Sequence, residues 1–257
     1  MENNFYNIFD SHAHYDDKWF DEDREVLLSS MKENGVCGIV NNAVDLKTAK
    51  VCIDFCEKYD FMYGAVGFHP ENLEDMPNDY LDRVAELLKH KKIVAVGETG
   101  LDYHWDISKD LQNRVFEEQI KLSLDVNMPI IVHDREAHGD TLNYLRKYKP
   151  KALVHCFSGS VEMMREVMRY GSYISLGGVV TFKNARHSVE VAKEVPIDRL
   201  LLETDCPYMS PVPFRGKRCD STMIKYTAEK IAEIRNTDVQ ELLNITAENA
   251  KIFYGID

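Results

Sequence analysis

The amino-acid sequence predicts a (β/α)8 TIM barrel, an α/β fold, and three observations carry that prediction. Eight short β-type runs alternate with amphipathic stretches over 257 residues, which is the count and length of strand-then-helix units the fold needs. Residues with metal-ligand chemistry follow five of those runs, where a barrel places its working side chains, at the C-terminal ends of strands. The GxGxxG turn that often marks the competing open doubly wound sheet is absent. No repeat and no Pro/Gly/Ser-rich linker divides the chain, so residues 1–257 read as one barrel domain.

The strands are read from short runs rich in β-branched, aromatic and aliphatic residues. They fall at 6–9, 36–40, 61–67, 93–97, 129–133, 152–155, 172–177 and 199–203. Between them, apolar residues at helical spacing mark 21–32, 46–58, 80–89, 109–126, 141–148, 161–169 and 187–193, and two further helices follow the eighth strand. Cys52 and Cys56, four apart in the second helix, read as buried packing. The six cysteines include no CxxC pair, and reduced thiols are expected.

With 44% hydrophobic and 29% charged residues, the composition excludes disordered, collagenous and coiled-coil classes. The net charge of −12 is concentrated in residues 1–128, which carry 13 basic and 26 acidic side chains against 18 and 17 in the remainder. A broad basic surface for wrapping duplex DNA is thereby excluded. No apolar run approaches the roughly 18 residues that span a bilayer, and the start lacks a basic and then apolar leader. A cytoplasmic protein with no membrane partner is expected.

The residues that follow the strands are uniform in kind. Asp10-Ser11-His12-Ala13-His14 follows the first, Glu98 the fourth, His133 the fifth, His155 the sixth and Asp205 the eighth. Side chains two apart in an extended segment point to the same side, so His12 and His14 can reach one ion while Ala13 faces away. Six imidazole and carboxylate donors exceed what one catalytic ion needs. Two divalent ions are therefore expected, and these donors accept Zn, Mn or Mg.

The segments FDSHAHYDD, VGFHPE, GETGLDYHW, IVHDRE, LVHCFSG and ETDCPY followed by FRGKR resemble the TatD family of metal-dependent deoxyribonucleases, within the amidohydrolase-like barrels. The resemblance covers essentially the whole chain. It implies that His12, His14 and Asp205 hold one metal, that His133 and His155 hold the second, and that Glu98 bridges them where many relatives use a carbamylated lysine. One stretch departs from the family's pattern. The usual Arg-Gly-Lys-Arg-Asn-Glu-Pro run reads Arg215-Gly216-Lys217-Arg218-Cys219-Asp220-Ser221 here, which touches no expected ligand but leaves the local loop geometry open.

Two divalent ions about 3.5 to 4 Å apart activate water and polarise a phosphoryl oxygen. This matches phosphodiester hydrolysis, with Asp205 as ligand and general base beside Glu98. The expected partner is DNA, as single strands or strand ends. His69 and His104 follow strands on the same rim and read as phosphate contacts, as supports for the ligands, or as structural histidines. Lys183, Arg186, Arg215, Lys217 and Arg218 follow strands seven and eight, and as a group could grip the backbone beside the scissile phosphate.

Tyr103, Trp105 and Phe214 read as base-stacking groups or as rim packing. Glu203 either orients a ligand or simply ends the last strand. Cys156 and Cys206 read as small packing residues, and His90, His138 and His187 as surface positions. Two other functions compete with a deoxyribonuclease. One is a hydrolase of small esters, amides or lactones on the same barrel; the other is a non-catalytic metal-binding scaffold.

Overall fold

The computed structural model describes residues 5–256, so the first four residues of the stretch read for a leader, and Asp257, lie outside the described residues. Eight parallel strands pair in sequence order: β1 (Ile8–Ala13), β2 (Val36–Asn42), β3 (Met62–Val66), β4 (Ile93–Asp102), β5 (Ile130–Arg135), β6 (Ala152–Val154), β7 (Tyr173–Leu176) and β8 (Leu200–Leu202). The helices are α1 (Arg24–Ser30), α2 (Leu46–Lys58), α3 (Tyr80–Leu87), α4 (Lys109–Asp125), α5 (His138–Tyr148), α6 (Val161–Arg169), α7 (Arg186–Glu194), α8 (Ile224–Arg235) and α9 (Val239–Tyr254). This is the expected (β/α)8 barrel.

Helices α2 and α6 coincide with the expected stretches. Each starts at a side-chain cap: Asp45 accepts from the Thr48 N–H, and Ser160 from the Met163 N–H. The expected first helix, 21–32, is shorter than read: α1 spans Arg24–Ser30, and Lys18–Phe20 forms a separate 3-10 turn before it.

Strands β1, β4 and β5 run past their apolar segments, so His12, Glu98 and His133 lie inside strands rather than after them. Backbone pairing continues regardless of side-chain polarity: Gly100 pairs with His133 and Asp102 with Arg135. A reading of apolar runs stops at the first polar residue and misses that continuation.

The ring closes between β8 and β1 with few ladder bonds. The Asp205 N–H donates to the His12 carbonyl at 3.0 Å and the His14 N–H to the Cys206 carbonyl at 2.8 Å. Below them, the buried Asp10 carboxylate accepts from the Thr204 N–H (3.0 Å), Thr204 Oγ1 (2.6 Å) and Ser221 Oγ (2.7 Å). These donors offset the desolvation of a buried charge, although burial still pushes the Asp10 pKa up to about 6.

The departure at 219–221 folds into this seam. Cys219 is buried, Asp220 caps the turn Ser221–Met223 by accepting from the Thr222 N–H, and the Ser221 N–H donates to the Tyr15 hydroxyl.

Two apolar layers fix which end stays open. An outer cluster joins strands to helices. An inner one takes Phe9, Val40, Ala65, Val94, Ala95, Ile131, Leu153, Tyr173 and Leu201, at least one from each strand, and packs them against Phe253 and Tyr254 of α9. The barrel is thus filled at that level, and polar side chains gather at the C-terminal ends of the strands.

Candidate metal centre

Two strand irregularities aim the first donors inward. Phe9 belongs to the inner cluster and Ala13 to the outer, which simple alternation forbids. The register shift between Asp10 and Ala13 reverses the parity and turns His12 inward. A second shift, between Val96 and Thr99, does the same for Glu98. Glycine permits it: Gly97 and Gly100 have φ of 142° and 146°, and a Cβ on Gly100 would lie 2.0 Å from the His133 carbonyl oxygen.

The buried Glu98 carboxylate divides the site. Its Oε2 lies 3.2 Å from His12 Nε2 and 3.4 Å from His14 Nε2, and Asp205 Oδ1 is 3.7 and 3.4 Å from the same two nitrogens. Its Oε1 lies 3.0 Å from His133 Nδ1 and 2.8 Å from His155 Nε2, themselves 3.2 Å apart. Donors each about 2.1 Å from one shared ion would stand roughly 3.0 to 3.5 Å from one another. Most of the separations fall in that range, with 3.7 and 2.8 Å just outside it, so both groups suit a divalent cation.

Hydrogen bonds set the tautomers the donors need. His14 Nδ1 faces the Asn42 carbonyl at 2.8 Å, so it carries the proton and leaves an Nε2 lone pair for the centre. His133 donates from Nε2 to Asp102 Oδ2 at 2.9 Å and turns Nδ1 inward. His69 is built the other way: Nδ1 accepts from the Glu71 N–H, so Nε2, 3.4 Å from Glu98 Oε1, carries a proton. It stands beside Glu98 and His133 as a donor rather than as a ligand.

Carboxylates and imidazoles in the centre hold one another's charge. Burial raises the Glu98 carboxyl, but His155, His69 and His12 outweigh it and hold it well below its ordinary value. Burial likewise opposes ionisation of Asp205, and hydrogen bonding to His14 with the charge of His12 and His155 wins. Burial lowers His14 and His133, yet Asp205 and Glu98 hold the first well above its ordinary value, and Asp102 and Glu98 push the second up to about 10. His12, packed against the His155 ring, is pulled down to about 3 by burial and then by His155.

Backbone at two junctions is left-handed without glycine, Cys156 at φ 43° and Asp205 at 57°, a conformation that clusters at functional sites. The Cys156 N–H donates to Glu203 Oε1 at 2.6 Å, and that oxygen sits 3.9 Å from His155 Nδ1. Glu203 is wholly buried, and burial lifts its pKa to about 7. Of the two readings of Glu203, orientation of the site is the one with contacts behind it.

His14, His133 and Asp205 keep 14, 18 and 17% of their side-chain surface exposed, so the centre opens onto a cavity of about 700 Å³. Phe157, Leu176 and Val180 form an apolar wall, and Trp105, Tyr208 and Met209 stand at its exposed edge. Asp102, absent from the sequence reading, is the carboxylate that holds the far nitrogen of a candidate ligand, His133, as the Asn42 carbonyl holds that of His14.

Several candidates lie elsewhere. His104 pairs with Glu136 and does not line the cavity. Arg218 makes a two-pronged contact with Asp23 at 2.7 Å and also bonds the Trp19 carbonyl. Arg215 stacks over Phe182, Lys217 lies near Phe214, and Arg186 pairs with Glu190. None of these, nor Lys183, lines the cavity. Tyr103 is tied to Asp140 and Phe214 packs on Tyr226. Burial raises the Cys156 and Cys206 thiols, in keeping with packing roles.

A parallel barrel with imidazole and carboxylate donors gathered at its C-terminal rim has the form of a metal-dependent hydrolase. The sequence profile of the TatD-related DNases matches residues 9–255, and the chain belongs to the TatD family. It is 46% identical over 254 residues to YabD of Bacillus subtilis, an uncharacterized metal-dependent hydrolase, covering 97% of this chain and 100% of that one. It is 35% identical over 257 residues to YcfH of Escherichia coli, described in the same words, covering 97% and 96%. The crystal structure of YjjV, a TatD homologue from Escherichia coli K12, superposes with a TM-score of 0.90 at 28% identity over 98% of this chain and 99% of that one.

Proposed function

We propose that the protein is a deoxyribonuclease that hydrolyses phosphodiester bonds of single-stranded DNA or strand ends with two divalent ions held across Glu98. The observation that carries this reading is the division of labour on that carboxylate. Oε2 faces His12 and His14, with Asp205 beside them, and Oε1 faces His133 and His155. When bound, the ions supply the Lewis acidity that activates water and polarises a phosphoryl oxygen.

The chain's own residues do the rest. Asp205, ionised and open to the cavity, ligates and takes the proton of the attacking water at its carboxylate. Glu98, kept anionic, fixes the spacing of the two donor groups. His69 offers its Nε2 proton to a phosphoryl oxygen. The wall of Phe157, Leu176 and Val180 limits water at the reacting centre.

Arg215 and Lys217, which have no acidic partner among the described residues, serve the strand outside the cavity. His104, at the edge of this rim, is assigned there with them, whereas Arg218 braces the loop against Asp23. No helix among the described residues is long and apolar enough to cross a membrane.

The apolar wall is the one observation that favours the second reading, hydrolysis of small esters, amides or lactones. Metal-loaded protein is assayed on end-labelled single- and double-stranded DNA, an ester and a lactone, with His133→Ala as the control. DNA cleavage lost in the control supports the proposal. Turnover of the ester or lactone with DNA left intact overturns it.

A further inference from the structure

The cavity above the centre has an uneven charge lining. Outside the donor set it carries four carboxylates, Asp16, Asp17, Glu71 and Asp134, and a single Lys or Arg side chain, that of Arg135. Several arginines elsewhere are paired with acids, as Arg24 is with Asp21 and Arg165 with Glu194, and Arg215, which is not, lies outside the cavity. Arg135 is exposed and, among the described residues, has no carboxylate within ion-pair distance. In a chain of net charge −12, an exposed guanidinium with no carboxylate partner, standing beside the donor set, can offer an anion up to five N–H donors.

Its position is set by the barrel. Arg135 lies two residues beyond His133 on β5, hence on the same side of the strand and about 7 Å further along it. The Tyr103 N–H donates to its carbonyl at 2.9 Å, which anchors the strand end. The guanidinium carbon sits 5.7 Å from the centre of the Trp105 ring. That ring lines the same cavity, is 48% exposed, and forms a T-shaped pair with His104. The guanidinium lies over one face of a ring that is still half exposed, so an anion at Arg135 and a planar ring against the indole suit a single ligand.

We propose that Arg135 and Trp105 form a nucleotide subsite beside the scissile bond, in which Arg135 binds a non-scissile phosphate through its forked N–H groups and Trp105 stacks on the attached base. The identity of the ligand rests on the phosphodiesterase reading, while the placement of the subsite rests on the cavity alone.

Fluorescence tests it directly. The chain has two tryptophans, so Trp19→Phe leaves Trp105 as the sole reporter. Titration of that protein with dAMP is expected to quench Trp105 saturably. Arg135→Ala in the same background should weaken dAMP by about tenfold or more, with Arg135→Lys between the two because it keeps charge but loses the fork. Deoxyadenosine, lacking the phosphate, should bind weakly to the parent and no more weakly to Arg135→Ala.

The subsite is overturned by an absence of saturable quenching, by dAMP binding in a calorimeter without a Trp105 signal, or by Arg135→Ala binding dAMP within twofold of the parent. In turnover, Arg135→Ala should lose about tenfold more kcat/KM on single-stranded DNA than on bis(4-nitrophenyl) phosphate, and equal losses would count against it. Unmodified protein that leaves DNA intact would remove the phosphodiesterase reading, and the dAMP titration would still decide the subsite.

Discussion

On the Oε2 side of Glu98 the second negative charge belongs to a donor, Asp205, whereas on the Oε1 side it stands behind the donors. There Asp102 accepts from His133, and Glu203 approaches His155. The Oε2 side is also locked by backbone: Asp205 and His12, and His14 and Cys206, are joined across the β1/β8 seam, and His14 leans on the Asn42 carbonyl. The Oε1 side lies within the regular ladder instead, where Gly100 pairs with His133 and the His155 N–H donates to the Val132 carbonyl at 3.1 Å. On the two-ion proposal, one half of the centre would owe its affinity to charge in direct contact, and the other to a carboxylate, Asp102, acting through the His133 ring.

The largest expected effect comes from removing what the two halves share. Glu98→Gln should lose both ions and cut turnover by at least ~10⁴-fold, the upper range for losing an acid–base group. Metal content by mass spectrometry and DNA cleavage check it; retention of either ion at full occupancy would break the symmetry argued for Glu98.

Asp205→Asn should lower turnover by about 10² to 10⁴-fold while DNA binding persists. Single-turnover assays alongside fluorescence anisotropy separate the two, and nearly normal turnover in metal-replete protein would remove Asp205 as the base.

Asp102→Asn sharpens the contrast. It should weaken one ion by about 10- to 100-fold and leave the other unchanged, so calorimetric metal titration should resolve two steps where the parent protein shows a narrower spread. A uniform loss at both steps would mean that Asp102 serves the fold and not His133.

Proton linkage follows from the same contacts. Burial opposes the charged forms, but Asp205 and Glu98 hold His14 well above its ordinary value, and Asp102 and Glu98 bring His133 to about 10. Both rings must therefore shed a proton to bind metal. Apparent affinity should rise with pH through neutrality and fall as pH drops, with protons released on uptake; calorimetry in two buffers of different ionisation enthalpy measures the release.

The smallest effect is on the seam. Ser221→Ala removes one donor to buried Asp10 and one partner of Tyr15, at a cost of about 1 to 3 kcal/mol. It should lower the denaturation midpoint with an unchanged slope.

Much of the centre was legible in the sequence because its donors sit where apolar runs end. That rule located His12, His14, Glu98, His133, His155 and Asp205 without knowledge of register. It could not find Asp102, because the fourth strand was read as ending at 97 although it continues to Asp102. Glu98 and Asp102, four apart on one strand, share a face, and that parity was the available signal.

Arg218 stayed opaque for another reason. Its partner Asp23 lies 195 residues earlier, and no local pattern marks a long-range ion pair. Arg135 was passed over because it directly follows Asp134 in a run read for its histidine. Only the cavity reveals it as the lone Lys or Arg there.

The central claim is that Glu98 spans two ions held by unequal halves. Anomalous scattering from crystals grown with saturating manganese tests it most directly. The account predicts two peaks about 3.5 to 4 Å apart, one bounded by His12, His14 and Asp205 and the other by His133 and His155. A single peak at saturation, or a second one away from Glu98, would contradict it.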